Sequence, residues 1–467
     1  MELEKGSHIH LMGICGTAMA SLAGLLQDRG FKVTGSDSNP YPPMSTQIES
    51  LGITIQKGYK ASNLNPRPDF VIVGNVISAN NEEAQELLRL KIPYTSLPQA
   101  MGHYIIEDRD CVCISGTHGK TTTTSLMAWV AEVCGQQPGF LIGGIPKNFS
   151  QSFKNPEGKV FVIEGDEYDT AFFDKVPKFV HYRPKHVILT SVEFDHADIY
   201  KDLDDVKRAF EKLVTLIPPS GHLICWAEDR NIQQLKTKAK SPVITYGLRE
   251  GDVRARILKT SGEATEFQVN FQGQDLGIFA VPLSGEYNVL NTLAVITLSQ
   301  ILKFDLTLVR KALASFLGVK RRQEILGEPR GVLIIEDFAH HPTAVKETLK
   351  GIKMKYPDRK VWAVFEPRSA TSRRKVFQRD YALAFEQAEE TLIAEAFDQT
   401  KIDEANRFSS HELVEDLRKK GKSARVYQGV DSIVQDLVKG TQKGDLVLIM
   451  SNGGFDGIYT KLLQAMG

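Results

Sequence analysis

Short apolar runs alternate with longer amphipathic segments along most of the chain. In the first such unit, an apolar run at 8–12 is followed by a glycine-rich turn, a segment of helical periodicity at 18–29 and a second apolar run at 31–35. Apolar runs of roughly four to eight residues indicate buried strands, and apolar positions three and four apart indicate helices. This alternation is typical of parallel sheets wound by helices, so the sequence predicts an α/β fold.

Breaks in this pattern divide the 467 residues into three parts. The polar stretch at 108–110 ends a first α/β unit, and a predicted strand at 111–115 begins the second. Between about 250 and 283 the pattern becomes strand-only, which predicts an antiparallel annex within the second predicted domain. Gly318 begins a hinge into a third α/β unit. We therefore predict three domains, at residues 1–108, 109–318 and 319–467.

Composition and charge exclude several classes of protein. Lys plus Arg and Asp plus Glu number 57 each, so no overall field favours nucleic acid and no such partner is expected. The chain lacks an apolar run near the roughly 20 residues of a membrane span, and its first residues lack the apolar stretch of a signal peptide. The five cysteines are scattered, which favours reduced thiols. We expect a cytoplasmic protein without a membrane partner, as a monomer or weak dimer.

A glycine-rich turn stands between a predicted strand and a predicted helix. It reads Gly116-Thr117-His118-Gly119-Lys120-Thr121-Thr122. Such a turn directs backbone N–H groups and the positive end of the helix dipole at one point, where phosphate oxygens bind. Lys120 is expected to reach the β- and γ-phosphates of ATP, and Thr121 to offer its hydroxyl to magnesium. The motif is shortened, because Ile114 stands where the usual motif has glycine. The alternative is an ordinary turn that contains Gly-Lys-Thr by chance.

Two further candidates follow predicted strands, at the sheet edge where ligands bind in open α/β sheets. Glu164 ends the strand predicted at 160–163, and His196 follows the one predicted at 187–190. A hard cation prefers oxygen ligands, so Thr121 and Glu164 predict a magnesium site, and a neutral imidazole at His196 could hold a second ion. A solvated acidic loop and a capping histidine are the competing interpretations.

The first turn of the chain is similar to the dinucleotide fingerprint, with cysteine in place of the second glycine. It reads Gly13-Ile14-Cys15-Gly16-Thr17. Asp37 stands at the sequence distance at which a carboxylate binds ribose in such folds. The same turn serves any pyrophosphate, so a nicotinamide dinucleotide and another nucleotide diphosphate are both open at this point.

Motifs spread along the whole chain resemble those of the Mur ligase family. Besides the two turns they comprise Tyr41-Pro42-Pro43-Met44-Ser45, Glu164-Gly165-Asp166-Glu167-Tyr168-Asp169, Glu193-Phe194-Asp195-His196-Ala197-Asp198, Asp337-Phe338-Ala339-His340-His341-Pro342-Thr343, Glu366-Pro367-Arg368-Ser369 and Ser451-Asn452-Gly453-Gly454-Phe455. The resemblance implies a Rossmann-like N-terminal domain for a UDP-sugar, a central P-loop ATPase-like domain with the antiparallel annex, and a C-terminal Rossmann-like α/β domain for an incoming peptide. It thereby redirects the first turn to the UDP diphosphate.

The resemblance also implies roles for single residues. The implied catalytic residues are Lys120, Glu164, His196 and Arg322. The ATP site would comprise the glycine-rich turn from Gly116 to Thr122 together with Asn291 at adenine, Arg322 at the γ-phosphate and Asp337, which would either bind ribose or order a loop. The UDP-sugar site would comprise Gly13, Cys15, Gly16, Thr17 and Asp37, and the acceptor-peptide site Arg368, Ser451, Asn452 and Gly453. Tyr287 stands where relatives often have histidine, which weakens the correspondence at that position.

Within the family, the motifs are most similar to those of members that act in cell-wall peptide recycling. These use ATP and Mg²⁺ to join the tripeptide L-alanyl-γ-D-glutamyl-meso-diaminopimelate to UDP-N-acetylmuramate through an acyl phosphate. His340 and His341 are candidates for taking the proton of the amine, with packing or adenosine contact equally open. Two alternative functions are a member that adds a single L-alanine to the same UDP-sugar, and a nucleotide-controlled binding or switch protein.

Overall fold

The computed structural model of the protein describes residues 3–40 and 44–467, so Tyr41-Pro42-Pro43 of the second motif lies outside the described residues. The strands are β1 His8–Met12, β2 Lys32–Asp37, β3 Ile55–Lys57, β4 Phe70–Val73, β5 Tyr94–Ser96, β6 Asp110–Ser115, β7 Gly139–Leu141, β8 Phe153–Lys154, β9 Val160–Gly165, β10 Asp169–Ala171, β11 Asp174–Pro177, β12 His186–Leu189, β13 His222–Trp226, β14 Val243–Gly247, β15 Val253–Thr260, β16 Thr265–Phe271, β17 Gln274–Val281, β18 Glu324–Gly327, β19 Leu333–Asp337, β20 Val361–Phe365, β21 Glu390–Ala394, β22 Ser423–Tyr427 and β23 Leu446–Met450. The helices are α1 Thr17–Asp28, α2 Met44–Ser50, α3 Glu82–Leu90, α4 Leu97–Ala100, α5 Lys120–Val133, α6 Leu203–Leu216, α7 Arg230–Leu235, α8 Glu286–Ile301, α9 Leu306–Ala314, α10 Pro342–Lys355, α11 Gln378–Ala384, α12 Ser410–Lys419, α13 Val430–Gly440 and α14 Ile458–Met466.

The chain forms two compact units. The first comprises Met1–Val192, Asp204–Arg254 and Leu293–Phe316, and the second Glu193–Leu203, Ala255–Thr292 and Leu317–Gly467. The α/β class predicted from the apolar pattern is confirmed in both, because strands and helices alternate through most of each.

The N-terminal part of the first unit is a parallel sheet in the order β3-β2-β1-β4-β5. The predicted strands β1 and β4 have the predicted bounds. The strand predicted at 92–94 was placed too early, since β5 runs from Tyr94 to Ser96. Pro93 has no N–H to donate, and its carbonyl accepts a hydrogen bond from the Val71 N–H at 3.0 Å, so the ladder with β4 begins at Tyr94.

The central sheet of the first unit places the candidate phosphate-binding turn at the end of an interior strand. Its strands follow the order β8-β7-β9-β6-β12-β13-β14, parallel except for the β7–β8 pair. The strand predicted at 160–163, which Glu164 was expected to end, runs on to Gly165, because β9 stays in register with β6 through the Ser115–Gly165 pair. Glu164 therefore lies within the strand. The strand predicted at 187–190 ends one residue early, at Leu189.

The second compact unit contains a six-stranded sheet and the antiparallel strands predicted between about 250 and 283. β16 and β17 pair antiparallel, as the strand-only pattern predicted. The larger sheet has the order β18-β19-β23-β20-β21-β22 and is parallel except for β18. Successive residues of β23 alternate between two cores: Leu446, Leu448 and Met450 lie in one, and Val447 and Ile449 in the other. Both faces are therefore covered, which explains the continuous apolar runs.

Cys111 and Cys113 are free thiols buried in β6, and burial raises the pKa of each, so they pack as core residues. Among residues 3–40 and 44–467, none of the helices has the length and apolar character needed to cross a membrane.

Candidate functional site

The turn between β6 and α5 has the backbone of a phosphate-binding loop. Gly116 has a φ of +131°, a conformation that side chains rarely adopt. A Cβ atom at this position would lie 2.3 Å from Thr190 Oγ1 and 2.8 Å from the Ser191 carbonyl oxygen. Helix α5 begins at Lys120 and includes Thr121 and Thr122, so the unsatisfied N–H groups of its first turn face the loop. The geometry suits a bound anion.

Two residues after β12 hold this loop in place. The N–H of Thr117 donates to the Ser191 carbonyl (2.9 Å), and the N–H of His118 donates to Ser191 Oγ (3.0 Å). The Thr190 hydroxyl donates to the His118 carbonyl at 2.5 Å. Sequence reasoning missed Thr190 and Ser191, because no local signal joins positions more than 70 residues apart. Thr190 and Ser191, directly after the neighbouring strand β12, therefore hold the loop in this shape.

Replacing Gly116 with alanine is expected to abolish activity and to destabilise the first unit by about 2 kcal/mol or more, since strain of this kind costs about 1–3 kcal/mol. The added methyl group would displace Thr190 and Ser191. The matched control is Gly135→Ala beyond the end of α5, where φ is +72° and no atom lies within 4 Å, so only backbone strain is added. Thermal unfolding and turnover of both variants check this. Equal effects would refute the steric argument.

Lys120 is held within the loop by two kinds of acceptor. Its Nζ donates to the Gly116 carbonyl at 2.6 Å and to Glu167 Oε2 at 3.0 Å. Both side chains are largely buried. Burial works to lower the pKa of Lys120, but the carboxylates of Glu167 and Asp166 outweigh it and raise the pKa. Lys120 is therefore a fixed ammonium with a third N–H donor for a phosphate oxygen.

Thr121 and Glu164 meet as the sequence predicted. The Thr121 hydroxyl donates to Glu164 Oε2 at 3.0 Å, and the Gly143 N–H donates to Glu164 Oε1 at 2.6 Å. Burial and the neighbouring Asp166 carboxylate raise the pKa of Glu164. A cation beside this pair would relieve that repulsion, and two oxygens 3.0 Å apart are the type of ligand that Mg²⁺ prefers. The residues thus fit a magnesium ion.

A second buried cation balances the acidic segment after β9. The Lys178 Nζ and the Tyr168 hydroxyl both donate to Asp166 Oδ2, at 3.0 and 2.8 Å. Burial works to raise the pKa of Asp166, but Lys178 and Lys120 outweigh it and lower the pKa. Lys178 carried no sequence signal, because it pairs with the motif only through the fold. Asp166 is consequently an anion that helps to hold Lys120 charged.

The first turn of the chain is built on the ends of β1 and β2. The N–H groups of Gly13 and Ile14 donate to the Ser36 carbonyl at 2.8 and 3.0 Å. The Cys15 N–H donates to Asp37 Oδ2 at 3.0 Å. Gly16 precedes α1, which begins at Thr17, so the helix N-terminus faces the turn. Asp37, predicted to bind ribose, thus orders the turn in this structure.

In the second unit, His196 follows an aspartate whose charge is strongly stabilised. Asp195 Oδ1 accepts hydrogen bonds from the Thr371 hydroxyl at 2.6 Å and from the His196 N–H at 2.7 Å. Burial works to raise the pKa of Asp195, but the imidazoles of His340, His196 and His341 and the Thr371 hydroxyl outweigh it and lower the pKa. His196 has a φ of +52°, and its role as a metal ligand stays a prediction.

Two residues predicted for nucleotide contact in the second unit, Arg322 and Asp337, lie close to Phe338. The Arg322 guanidinium lies 4.6 Å from the centroid of the Phe338 ring. Asp337 is buried and accepts hydrogen bonds from the N–H groups of Gln323 and Ala339, both at 2.8 Å. Burial raises the pKa of Asp337, which Arg322 opposes. Asp337 is thus a loop-ordering carboxylate, one of the two roles that the resemblance implied.

Asn291 and Tyr287 lie on α8 in the same unit. The Asn291 side-chain amide is buried and donates to Asn288 Oδ1 at 3.4 Å. The Tyr287 hydroxyl accepts a hydrogen bond of 2.6 Å from the Gln323 side chain, which precedes β18. Tyr287 therefore connects α8 with the segment that carries Arg322.

The predicted acceptor residues come together at the ends of β20 and β23. Arg368 lies 3.8 Å from the centroid of the Phe397 ring and donates to Glu366 Oε1 at 3.2 Å. The Ser451 hydroxyl donates to Glu366 Oε2 at 2.5 Å and accepts a hydrogen bond from the Gly453 N–H at 2.9 Å. A Cβ on Gly453 would lie 2.2 Å from the Arg368 side chain, so a larger residue at this position would displace the guanidinium. Asn452 lies between them, with its Oδ1 buried and without a hydrogen-bond partner.

Arg321 fixes the segment that carries these predicted acceptor residues, and sequence reasoning missed it. Its side chain donates to Glu336 Oε1 at 2.6 Å and to the carbonyls of Ser451 and Gly453 at 3.0 and 2.5 Å. An arginine next to the predicted phosphate contact Arg322 gave no sign of this second role, because its partners lie 130 and 132 residues away.

His341 caps a helix in this structure. Its Nδ1 accepts a hydrogen bond from the Thr343 N–H at 3.3 Å, at the start of α10, and its Nε2 lies 3.2 Å from the Phe194 carbonyl. These partners require Nε2 to carry the proton. His340 Nδ1 lies 3.0 Å from the Phe338 carbonyl and is likewise a donor. His341 therefore caps α10, and a role of either histidine in proton transfer stays a prediction.

Comparisons with known proteins agree along the whole length of the chain. Family models match in succession: the Mur ligase family, catalytic domain at residues 8–109, the Mur ligase middle domain at 114–299, and the Mur ligase, glutamate ligase domain at 321–453. The chain is 40% identical over 464 residues to UDP-N-acetylmuramate–L-alanyl-gamma-D-glutamyl-meso-2,6-diaminoheptandioate ligase of Escherichia coli (strain K12), with 98% of each chain covered.

The chain is also similar to a second ligase in sequence and to a third in structure. A UDP-N-acetylmuramate–L-alanine ligase of Desulfitobacterium hafniense (strain Y51) is 34% identical over 448 residues, covering 96% of this chain and 97% of that protein. The crystal structure of a murein peptide ligase from Psychrobacter arcticus 273-4 superposes with a TM-score of 0.74 at 37% identity, covering 99% of both chains.

Proposed function

Because the chain belongs to the Mur ligase family, and is therefore an ATP-dependent ligase, we propose that it joins the tripeptide L-alanyl-γ-D-glutamyl-meso-diaminopimelate to UDP-N-acetylmuramate. The observation that carries this proposal is the 40% identity with the Escherichia coli relative of that name over 98% of both chains, against 34% for the alanine ligase. The product would return a recovered cell-wall peptide to peptidoglycan synthesis.

We assign the three substrates to three domains. Residues 1–108 would bind the UDP-sugar, residues 109–318 ATP, and residues 319–467 the incoming peptide. The three successive family matches support these boundaries. The turn at Gly13 would receive the UDP diphosphate, and the Ser451–Gly453 segment would receive a carboxylate of the peptide. Neither nucleic acid nor membrane is a partner in this proposal, and the enzyme would act in the cytoplasm as a monomer or weak dimer.

The chemistry requires activation of a carboxylate, since carboxylate oxygen is a poor leaving group. The lactyl carboxylate of the UDP-sugar attacks the γ-phosphorus of ATP, ADP leaves and an acyl phosphate forms. The amine of the tripeptide then attacks the acyl carbon, phosphate leaves and the amine loses a proton. Lys120 stabilises the negative charge of the phosphoryl oxygens during transfer, and Arg322 is proposed to share that role.

Magnesium fits the pair formed by Thr121 and Glu164. These residues would hold the ion through their side-chain oxygens, 3.0 Å apart. When bound, it would neutralise charge on the phosphates during phosphoryl transfer. His196 is proposed to hold a second ion, on the strength of the family resemblance alone.

Positional isotope exchange tests the acyl-phosphate route. With ATP labelled at the bridging β–γ oxygen, UDP-N-acetylmuramate alone should scramble the label into nonbridging positions, because the first step is reversible without the peptide. Omission of the UDP-sugar should stop the exchange. Exchange that needs the tripeptide, or that proceeds without the UDP-sugar, would exclude this order of steps.

Replacing Arg368 with alanine is expected to raise the KM for the tripeptide by about 10- to 100-fold, since a hydrogen bond to a charged group contributes about 1.5–3 kcal/mol. The guanidinium is presented on Phe397 beside the Ser451–Gly453 segment, where a peptide carboxylate would bind. Initial rates at varied tripeptide and varied ATP check this.

The matched control for this prediction is Arg379→Ala, which removes an exposed arginine of α11 in the same unit and should leave both KM values unchanged. If Arg368→Ala raised the KM for ATP as much as that for the tripeptide, the assigned role would be abandoned.

A further inference from the structure

We propose that Glu83, a buried carboxylate remote from the reacting groups, is a positioning residue. It would hold the turn between β1 and α1, Gly13 to Thr17, in its UDP-sugar-binding geometry. The proposal rests on the function proposed above and adds a residue to its UDP-sugar site. Glu83 is the second residue of helix α3, and its side chain is fully inaccessible to solvent. It therefore acts through other residues.

Three donors surround the Glu83 carboxylate. His10 Nε2 lies 2.6 Å from Oε1, the Ser36 hydroxyl donates to the same oxygen at 3.0 Å, and the Asn63 amide donates to Oε2 at 3.1 Å. Within the described part of the chain, neither lysine nor arginine forms an ion pair with Glu83. The carboxylate is held by these donors and by the positive end of the α3 dipole.

The donor at His10 is fixed by a hydrogen-bond chain that begins near the surface. His8 Nε2 lies 2.8 Å from Thr34 Oγ1, and Thr34 Oγ1 lies 2.9 Å from His10 Nδ1. The hydroxyl of Thr34 donates one hydrogen, so the consistent assignment has it donate to His10 and accept from His8. His10 Nε2 then carries the proton that it donates to Glu83. This series of hydrogen bonds connects β1 to β2 on the face of the sheet that α3 covers.

Ser36 connects this network to the first turn. Its hydroxyl is bound by Glu83, and its carbonyl accepts the N–H groups of Gly13 and Ile14 at 2.8 and 3.0 Å. The next residue, Asp37, accepts the Cys15 N–H at 3.0 Å. Successive residues of one strand therefore fix three successive N–H groups of the turn. A shift of Ser36 moves the turn that would carry the diphosphate.

Stability alone gives no reason for this arrangement. Burying a carboxylate is costly, and apolar residues of similar volume often serve a core as well or better. A network with directional bonds instead fixes the position of Ser36 more narrowly than apolar contacts would. The network therefore sets the geometry of the turn between β1 and α1.

The test compares three variants of the full chain with a control. Ser36→Ala removes only the hydroxyl that joins Glu83 to the turn, and Ser36 is itself inaccessible to a ligand. Glu83→Leu removes all three bonds, whereas Glu83→Gln keeps an oxygen for His10 and Ser36. Ala84→Gly, at the next position of α3, weakens the helix without touching the network.

Initial-rate kinetics and calorimetric titration with UDP-N-acetylmuramate are the readouts. We expect Ser36→Ala and Glu83→Leu to raise the KM and Kd for the UDP-sugar by about tenfold, equivalent to about 1.4 kcal/mol, with kcat and the KM for ATP within about twofold of the wild type. Glu83→Gln should restore most of the affinity, and Ala84→Gly should leave it unchanged.

Three results would overturn the inference. Unchanged UDP-sugar affinity in Ser36→Ala and Glu83→Leu would make the network purely structural. A parallel rise of the KM values for ATP and UDP-sugar would indicate general loosening of the fold. A wild-type protein that fails to bind UDP-N-acetylmuramate would refute the proposed function itself, and the inference with it, and this result is distinguishable because it appears before any substitution.

Discussion

Replacing Lys120 with alanine is expected to lower the rate of ADP release by about 10³-fold, the upper range found when one charge-stabilising donor is removed from a transition state. The Nζ of Lys120 is held at 2.6 Å from the Gly116 carbonyl and 3.0 Å from Glu167, so its third N–H has one fixed direction. Steady-state assays with UDP-N-acetylmuramate and tripeptide at saturation measure the effect. Full turnover in the variant would remove the loop from the mechanism.

This substitution also leaves the buried carboxylate of Glu167 without its cation, and breaking a buried ion pair costs about 3–5 kcal/mol. A loss of activity therefore needs a control for folding. The double variant Lys120→Met and Glu167→Gln removes both charges of this ion pair and should regain most of the lost stability, while its activity stays low. Recovery of activity together with stability would show that Lys120 contributes to folding alone.

Replacing Glu164 with glutamine is expected to lower kcat by about 10²-fold or more, because metal-ion charge stabilisation contributes several kcal/mol and each 1.4 kcal/mol is tenfold in rate. The amide is isosteric and can still accept the Gly143 N–H. Burial and Asp166 raise the pKa of Glu164, so a neutral side chain should leave the melting temperature unchanged or higher. Titration of activity with Mg²⁺ should show a raised requirement for the ion.

Thr121 supplies a matched pair of controls for the magnesium assignment. Thr121→Ser keeps the hydroxyl that lies 3.0 Å from Glu164 and should retain most of the activity, whereas Thr121→Val removes it and should resemble Glu164→Gln. Wild-type Mg²⁺ dependence in Glu164→Gln would refute the assignment of this pair as the ion's ligands.

The parts of the site that lie within one turn of chain were predictable from the sequence. Gly116, Lys120 and Thr121 form a local motif whose geometry follows from a strand, a glycine turn and a helix. The pairing of Thr121 with Glu164 was also predictable, since both lie at the carboxyl edge of one parallel sheet.

The supporting contacts were not predictable, because they join positions that only the fold brings together. Ser191 binds the phosphate loop, Lys178 balances Asp166, and Arg321 binds the acceptor segment, each through partners that carry no spacing pattern. Strand ends were misplaced by one or two residues for the same reason, since registration with a neighbour, as at Gly165, decides where a ladder stops. For the same reason, the prediction that Asp37 binds ribose did not include its hydrogen bond from the Cys15 N–H.

The central claim is that the chain forms one amide bond to a tripeptide for each ATP consumed. A competition assay tests it most directly: the protein is incubated with ATP, Mg²⁺, UDP-N-acetylmuramate and equal concentrations of the tripeptide and L-alanine, and products are quantified by mass spectrometry beside ADP. We predict UDP-N-acetylmuramyl-tripeptide as the main product, with one ADP for each molecule formed. A main product carrying a single alanine, or ADP release without any amide product, would contradict the account.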